Sequence, residues 1–160
     1  MPYLVRHAHA GNKHGWPGPD GARPLSDAGR REAYGLLTQL RDYPISRILT
    51  SPALRCLQTV EPLAERRGLR VESAGVLGVD AESTDLVALL LDPAAADAVL
   101  CSHGELIGAA LNRLVGERFE GDSLSWPKGS TWVLEVADGR VEDARYLPPL
   151  RLEDTDAGYY

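Results

Sequence analysis

The stretch Tyr3-Leu4-Val5-Arg6-His7-Ala8-His9-Ala10-Gly11 has the residue types and the order that chemistry on an anion would need. Three largely apolar residues lead straight into Arg6-His7, with small residues and a glycine behind them. A buried strand that ends this way delivers charged side chains to the crevice beyond its carboxyl end. An arginine beside a histidine there suits a phosphate, the imidazole attacking or transferring the group and the guanidinium holding its charge. A strand end carrying two surface residues is the plainer reading, and these residues alone do not choose between the two. His7 and His9 stand two apart, so on an extended strand they share a side, as two metal ligands would. His14 lies in the loop that follows, but no third ligand at a fixed spacing completes a site. No metal or other cofactor is expected.

Whether distant residues can join this pair depends on the elements that carry them. Residues 2–7 read as the first strand. Residues 10–24 hold Gly11, Gly15, Gly18 and Gly21 with Pro17, Pro19 and Pro24, a density that excludes regular structure. A loop of that length in a small domain is usually functional or mobile; Trp16 within it reads equally as a cover for a substrate and as an anchor for the loop. Ser26 reads as a helix N-cap with Asp27 in the first turn. Ala33, Leu36, Leu37 and Leu40 then recur on one helical face, which Pro44 closes. Residues 46–50 make a second strand. Ser51-Pro52 reads as a helix start, a hydroxyl cap followed by proline at the first helical position. Leu54, Leu57 and Val60 mark that helix's inner face, Pro62 is expected to kink or break it, and Gly68 to follow its end.

Residues 69–73 read as a weaker third strand at an edge, and 83–91 as a helix stopped by Pro93. Ala98-Val99-Leu100-Cys101 is a continuous apolar strand running into Ser102-His103-Gly104-Glu105. A helix follows with Ile107, Ala110, Leu111 and Leu114 on one face and Gly116 at its end. Residues 117–129 read as a loop, and 130–136 and 140–147 as strands joined through Asp138-Gly139. The domain is read as 1–147, with 148–160 a C-terminal tail whose acidic residues 153–156 suggest disorder. This alternation predicts an α/β fold: an open, mostly parallel three-layer sheet with helices on both faces and a C-terminal antiparallel hairpin. His7, Ser51 and His103 each follow a strand directly, so such a sheet brings them to one edge.

Of the 160 residues, 44% are hydrophobic and 25% charged, enough for one soluble core, and the formal net charge is -6. An acidic chain is poorly suited to nucleic acid or to an anionic membrane, so neither is an expected partner, and an anionic substrate must be gripped by a local basic cluster. The two cysteines, Cys56 and Cys101, each sit in an apolar segment and read as buried reduced thiols. There is no basic leader followed by an apolar run, and no apolar run of membrane length, which points to the cytoplasm. The oligomeric state is not legible.

Taken together, the motifs resemble the histidine phosphatase superfamily, whose fold is phosphoglycerate mutase-like. Arg6-His7-Ala8 is similar to its Arg-His-Gly signature. Ser51-Pro52-Ala53-Leu54-Arg55-Cys56-Leu57-Gln58-Thr59 resembles its second motif, with an arginine and a Gln-Thr pair on the helix after a strand. Ser102-His103-Gly104-Glu105 resembles its second histidine motif. Short length and Arg23-Pro24-Leu25-Ser26 bring the chain nearest to the SixA-like phosphohistidine phosphatases. Lys128-Gly129-Ser130-Thr131-Trp132 also resembles the phosphatase-like domain fused behind some actinobacterial Nudix hydrolases. Ala8 departs from the pattern: alanine cannot take positive φ without strain, so the backbone there is expected to differ from a glycine's.

The resemblance implies a metal-independent phosphatase in which His7 attacks phosphorus and forms a phosphohistidine that water hydrolyses. It makes Arg6, Arg23 and Arg55 phosphate ligands and His103 a fourth. Ser51, Ser102 and Glu105 would orient the site or merely cap helices. The general acid is sought near Glu82, with Asp80 and Asp85 as neighbours. The expected substrate is protein phosphohistidine; a small phosphorylated metabolite or nucleotide is the alternative, and a non-catalytic phosphate- or phosphoprotein-binding module a third. Phosphoglycerate mutase activity fits less well, since the short chain leaves little room for extra substrate-binding segments.

Overall fold

The computed structural model describes residues 1–116 and 124–152. Six strands are described: β1 (Tyr3–Arg6), β2 (Arg47–Thr50), β3 (Val71–Ser73), β4 (Ala98–Ser102), β5 (Thr131–Ala137) and β6 (Arg140–Leu147). They form one sheet in the order β3-β2-β4-β1-β5-β6. The pairs β3-β2, β2-β4 and β4-β1 are parallel; β5 runs antiparallel to β1, and β6 antiparallel to β5. The helices are α1 (Asp27–Gln39), α2 (Leu54–Arg67), α3 (Ser83–Leu91) and α4 (Gly104–Leu114).

Strand side chains alternate between the two faces of a sheet. Leu4, Leu49, Leu100 and Leu134 pack with Leu86, Leu90, Ile107 and Leu111, which puts α3 and α4 on one face. Tyr3, Val5, Ile48 and Val99 pack with Leu36, Leu37, Val60 and Leu63, which puts α1 and α2 on the other. Both faces of the central strands are therefore covered, which is why those strands are apolar throughout. Among the described residues no helix is long and apolar enough to cross a membrane.

The predicted three-layer architecture stands, and most element bounds move by a residue or two. Ser26 caps α1, its Oγ accepting from Gly29 N at 3.0 Å. At the hairpin tip Asp138 and Gly139 have φ of 53° and 74°, the two positive values a tight two-residue turn requires. The 10–24 loop holds two single 3-10 turns, Lys13–Gly15 and Asp20–Ala22.

Two local expectations need correction. The helix after β2 starts at Leu54 with Ala53 as its cap, so Ser51-Pro52 lies outside it. Pro62 does not break α2, which continues to Arg67. A proline inside a helix costs about 3 kcal/mol. Cys56 and Val60 before it and Leu63 and Ala64 after it are all buried, and a buried aliphatic side chain contributes about 1.5–3 kcal/mol, so packing holds the two halves together. Ala8 is not among the described residues with positive φ, in keeping with the expectation that its backbone differs from a glycine's. The tail, read as starting at 148, is packed over its first five residues. Leu152 N donates to Arg31 O at 3.1 Å, Arg151 pairs with Glu32 at 3.1 Å, and Gln39 Nε2 donates to Pro148 O. Residues 153–160, and with them the acidic stretch, lie outside the described residues, as do 117–123 of the predicted loop.

Candidate active site

The carboxyl ends of β1, β2 and β4 are adjacent in the sheet, and the residues that follow them converge. His7 N donates to Ser102 O at 3.0 Å and Ser51 N to Cys101 O at 3.0 Å, so the pairing of the strands sets the separation of the three exits. Ala8 N donates to Thr59 Oγ1 at 3.0 Å, and Thr59 Oγ1 donates to Arg55 O at 2.7 Å. That chain of bonds ties the segment behind His7 to the first turns of α2.

The His7 ring is buried, 5% exposed. Its Nδ1 lies 2.8 Å from Ala8 O. A carbonyl only accepts, so Nδ1 carries the hydrogen and Nε2 keeps a lone pair. Burial disfavours the imidazolium; the Ala8 carbonyl opposes this, and the neighbouring Arg55, His103 and Arg6 add to it. The net result takes the His7 pKa from 6.5 down to about 3. His7 is thus a neutral nitrogen base surrounded by cations.

His103 faces it edge to face, ring centroids 5.5 Å apart. Arg55 Nη2 donates to His103 Nδ1 at 3.3 Å, which leaves the ring's hydrogen on Nε2, pointing to Ser51 Oγ at 2.8 Å. Ser51, expected either to orient the site or to cap a helix, holds the second histidine, and Cys56 Sγ lies 3.7 Å from the same Nε2. Both cysteines are buried and free. Arg55 is 3% exposed, and its Nε has no hydrogen-bond partner.

Arg6 leaves β1 toward α4. Its guanidinium lies against Gly104, where a Cβ would come within 2.8 Å of Cζ, and its Nη1 donates to Trp126 O at 3.0 Å. Its Nε is also buried without a partner. Unsatisfied buried donors on two arginines beside a neutral histidine are costly in isolation and fit a place for an anion. Arg23 reaches the cluster through one intermediary, Asp20. Arg23 Nε donates to Asp20 Oδ1 at 3.3 Å, and Arg55 Nη2 to Asp20 Oδ2 at 3.0 Å. Asp20 is a residue that sequence reasoning missed. The signal was a carboxylate three positions before Arg23, hidden in a loop read as irregular.

A cleft of about 500 Å³ leads to Arg55 and His103. Asp20 and Gly21 form one wall, and residues 75 and 78–81 the other. Asp80 is on that wall; Glu82 is not, standing exposed at the N-terminus of α3. Asp85 is exposed in the first turn of α3. Ser102 Oγ donates to Leu77 O at 2.6 Å, tying β4 to the segment that leads into that wall, while Glu105 is exposed in the first turn of α4. His9 Nδ1 meets Ser26 Oγ at 2.6 Å, and His14 is exposed in the 3-10 turn. Trp16 Nε1 donates to Pro19 O at 2.8 Å, so this side chain anchors its own loop.

The sequence model of the histidine phosphatase superfamily (branch 1) matches residues 2–77, which carry His7 and Arg55. By that match, and by the solved structures below, the chain is similar to the histidine phosphatase superfamily. The family's phosphoglycerate mutase-like fold is the one described above. An 8-oxo-(d)GTP phosphatase of Mycolicibacterium smegmatis is 32% identical over 152 residues, covering 91% of this chain and 47% of that protein. The chain therefore spans about half the length of that relative. Among solved structures, one from Agrobacterium tumefaciens assigned to the phosphohistidine phosphatase SixA superposes with a TM-score of 0.74 at 28% identity, over 92% of this chain and 97% of that one. A protein histidine phosphatase SixA in complex with tungstate shares the fold, with a TM-score of 0.70 at 21% identity over 94% and 96% of the two chains.

Proposed function

We propose that the protein is a metal-independent phosphatase that works through a phosphohistidine on His7, with protein phosphohistidine as its substrate. The observation that carries the reading is the His7 imidazole: Nδ1–H is committed to Ala8 O, burial and neighbouring cations keep the ring neutral, and Nε2 retains its lone pair. In the first step Nε2 bonds to phosphorus while the P–N bond to the substrate imidazole breaks. That imidazole leaves with a proton from solvent. Water then attacks phosphorus, the P–Nε2 bond breaks, and orthophosphate departs as neutral His7 is regained. Arg6, Arg55 and Arg23 carry the charge of the transferring group, and such positioning is most of what phosphoryl transfer requires. His103 orients Arg55 by accepting from it through Nδ1.

The leaving group decides between substrates. An alkoxide needs a strong proton donor, whereas an imidazole departs readily. The carboxylates described on the cleft are Asp20, paired with two arginines, and the exposed Asp80. Burial alone would raise the Asp20 carboxyl, but Arg55 and Arg23 together hold it below its ordinary range, so it is a poor acid. A labile phosphoramidate fits such a site better than an ordinary ester. The name of the Mycolicibacterium relative supports a second reading, hydrolysis of a nucleotide or another small phosphorylated metabolite.

The test is a panel of phosphohistidine protein, nucleotides and sugar phosphates, assayed with a chelator present, for wild type and His7→Asn. The expected result is chelator-resistant turnover that is fastest on phosphohistidine, and a phosphoenzyme that is acid-labile, alkali-stable and absent from the variant. Turnover retained in His7→Asn would refute the nucleophile. A nucleotide turned over faster than phosphohistidine would move the assignment to the second reading.

A further inference from the structure

The Asp20 carboxylate sits where a phosphate would be gripped. One oxygen accepts from Arg23 Nε at 3.3 Å and the other from Arg55 Nη2 at 3.0 Å, while the Asp20 backbone oxygen accepts from Arg55 Nη1 at 2.9 Å. Asp20 thus takes both terminal nitrogens of Arg55. Arg23 Nη1 donates instead to Ala10 O at 2.9 Å. Asp20 and Gly21 also form the cleft wall beside Arg55 and His103, and His7 is not among the residues that line the cleft. His7, Arg55 and His103 are 5%, 3% and 6% exposed, so a ligand entering by the cleft meets Asp20 before it meets the histidine.

We propose that the Asp20 carboxylate is an internal counter-anion, held by Arg55 and Arg23 in the free protein and exchanged for the phosphoryl group of the substrate. The proposal rests on the phosphate-site reading above. A carboxylate and a phosphoryl group present the same chemistry to a guanidinium, oxygen acceptors and negative charge. Two anions on the tips of one buried arginine repel each other, so the second displaces the first. The exchange has two effects. Before binding, Asp20 keeps two buried guanidinium groups oriented and compensated. During binding, every anion is charged the loss of the Asp20 contacts, so small anions such as orthophosphate bind weakly. A substrate recovers that loss through its leaving group in the cleft. Two backbone bonds close the short Asp20–Ala22 turn, Ala22 N to Pro19 O and Arg23 N to Asp20 O, and displacement of Asp20 from Arg55 would be felt there.

The test compares wild type, Asp20→Asn and Arg55→Ala for binding of orthovanadate and inorganic phosphate, read by titration calorimetry without turnover. Asparagine keeps the shape and loses the charge. Removing one charge-assisted competitor is expected to tighten binding of both anions about tenfold in Asp20→Asn, while Arg55→Ala binds neither. Equal or weaker binding in Asp20→Asn, with wild type binding and Arg55→Ala not, would overturn the exchange and leave the phosphate site standing. Equal binding in wild type and Arg55→Ala would overturn the phosphate site, and the exchange with it. Should Asp20→Asn fail to fold, hydrogen exchange on wild type decides: vanadate is expected to speed exchange at the Ala22 and Arg23 amides, and unchanged or slower exchange there would refute displacement.

Discussion

Replacing His7 by asparagine tests the neutral imidazole through stability rather than catalysis. Asparagine is uncharged at every pH and keeps an N–H for Ala8 O, which His7 Nδ1 bonds at 2.8 Å. In the unfolded chain the histidine titrates near 6.5, and in the folded protein near 3. Between those values the unfolded state binds the proton and the native state does not, so native stability falls as the pH falls. The loss starts near pH 6.5, accumulates at about 1.4 kcal/mol per unit, and stops growing below about pH 3. From pH 7.5 to 4.5 it amounts to about 3 kcal/mol, and any folded value below about 4 yields nearly the same figure. With an m-value of about 2 kcal/mol/M this is a shift of about 1.5 M urea in the unfolding midpoint. Urea titrations of wild type and His7→Asn at both pH values cancel the contributions of groups the two proteins share. Wild type is expected to lose about 3 kcal/mol more than the variant. Parallel losses, agreeing within about 0.5 kcal/mol, would refute a histidine held neutral by burial and neighbouring cations.

Two further outcomes follow from single contacts. Ser51→Ala removes the acceptor for His103 Nε2–H, so the ring loses its fixed orientation and Arg55 loses a support; a fall of about 10- to 100-fold in turnover is expected. A changed His103 tautomer ratio in the nitrogen-15 spectrum checks the cause, and full turnover with an unchanged ratio would refute it. Gly35→Ala puts a Cβ within 1.6 Å of Leu150 O. Although alanine favours a helix over glycine by about 1 kcal/mol, this variant is expected to be less stable and to be cut by trypsin after Arg151 about tenfold faster. A gain in stability would show that residues 148–152 do not need the glycine.

Much of the fold was legible because its signals are local. The apolar strands β1 and β4, the face of α1 at Leu36 and Leu37, the Ser26 cap and the Asp138-Gly139 turn each follow from a few neighbouring residues. Local rules failed where the decisive partner lies far along the chain. Ser51-Pro52 looks like a helix start, yet Ser51 Oγ answers His103, 52 residues away. Pro62 looks like a breaker, yet buried neighbours on both sides of it hold α2 together. The packed start of the tail depends on α1 residues more than a hundred positions earlier.

The order of residues by itself determined which chemistry is on offer: a histidine at each of two strand exits, arginines that stay charged, and a family's motifs in the family's order. Only the tertiary structure decided the protonation and the partners. The His7 imidazole is neutral because the folded chain removes its water and surrounds it with positive charge, and solvation is a property of the packed whole. The same holds for Asp20. Its one local signal is Arg23 three positions on, and only the meeting of α2 with the 10–24 loop sets it between Arg23 and Arg55.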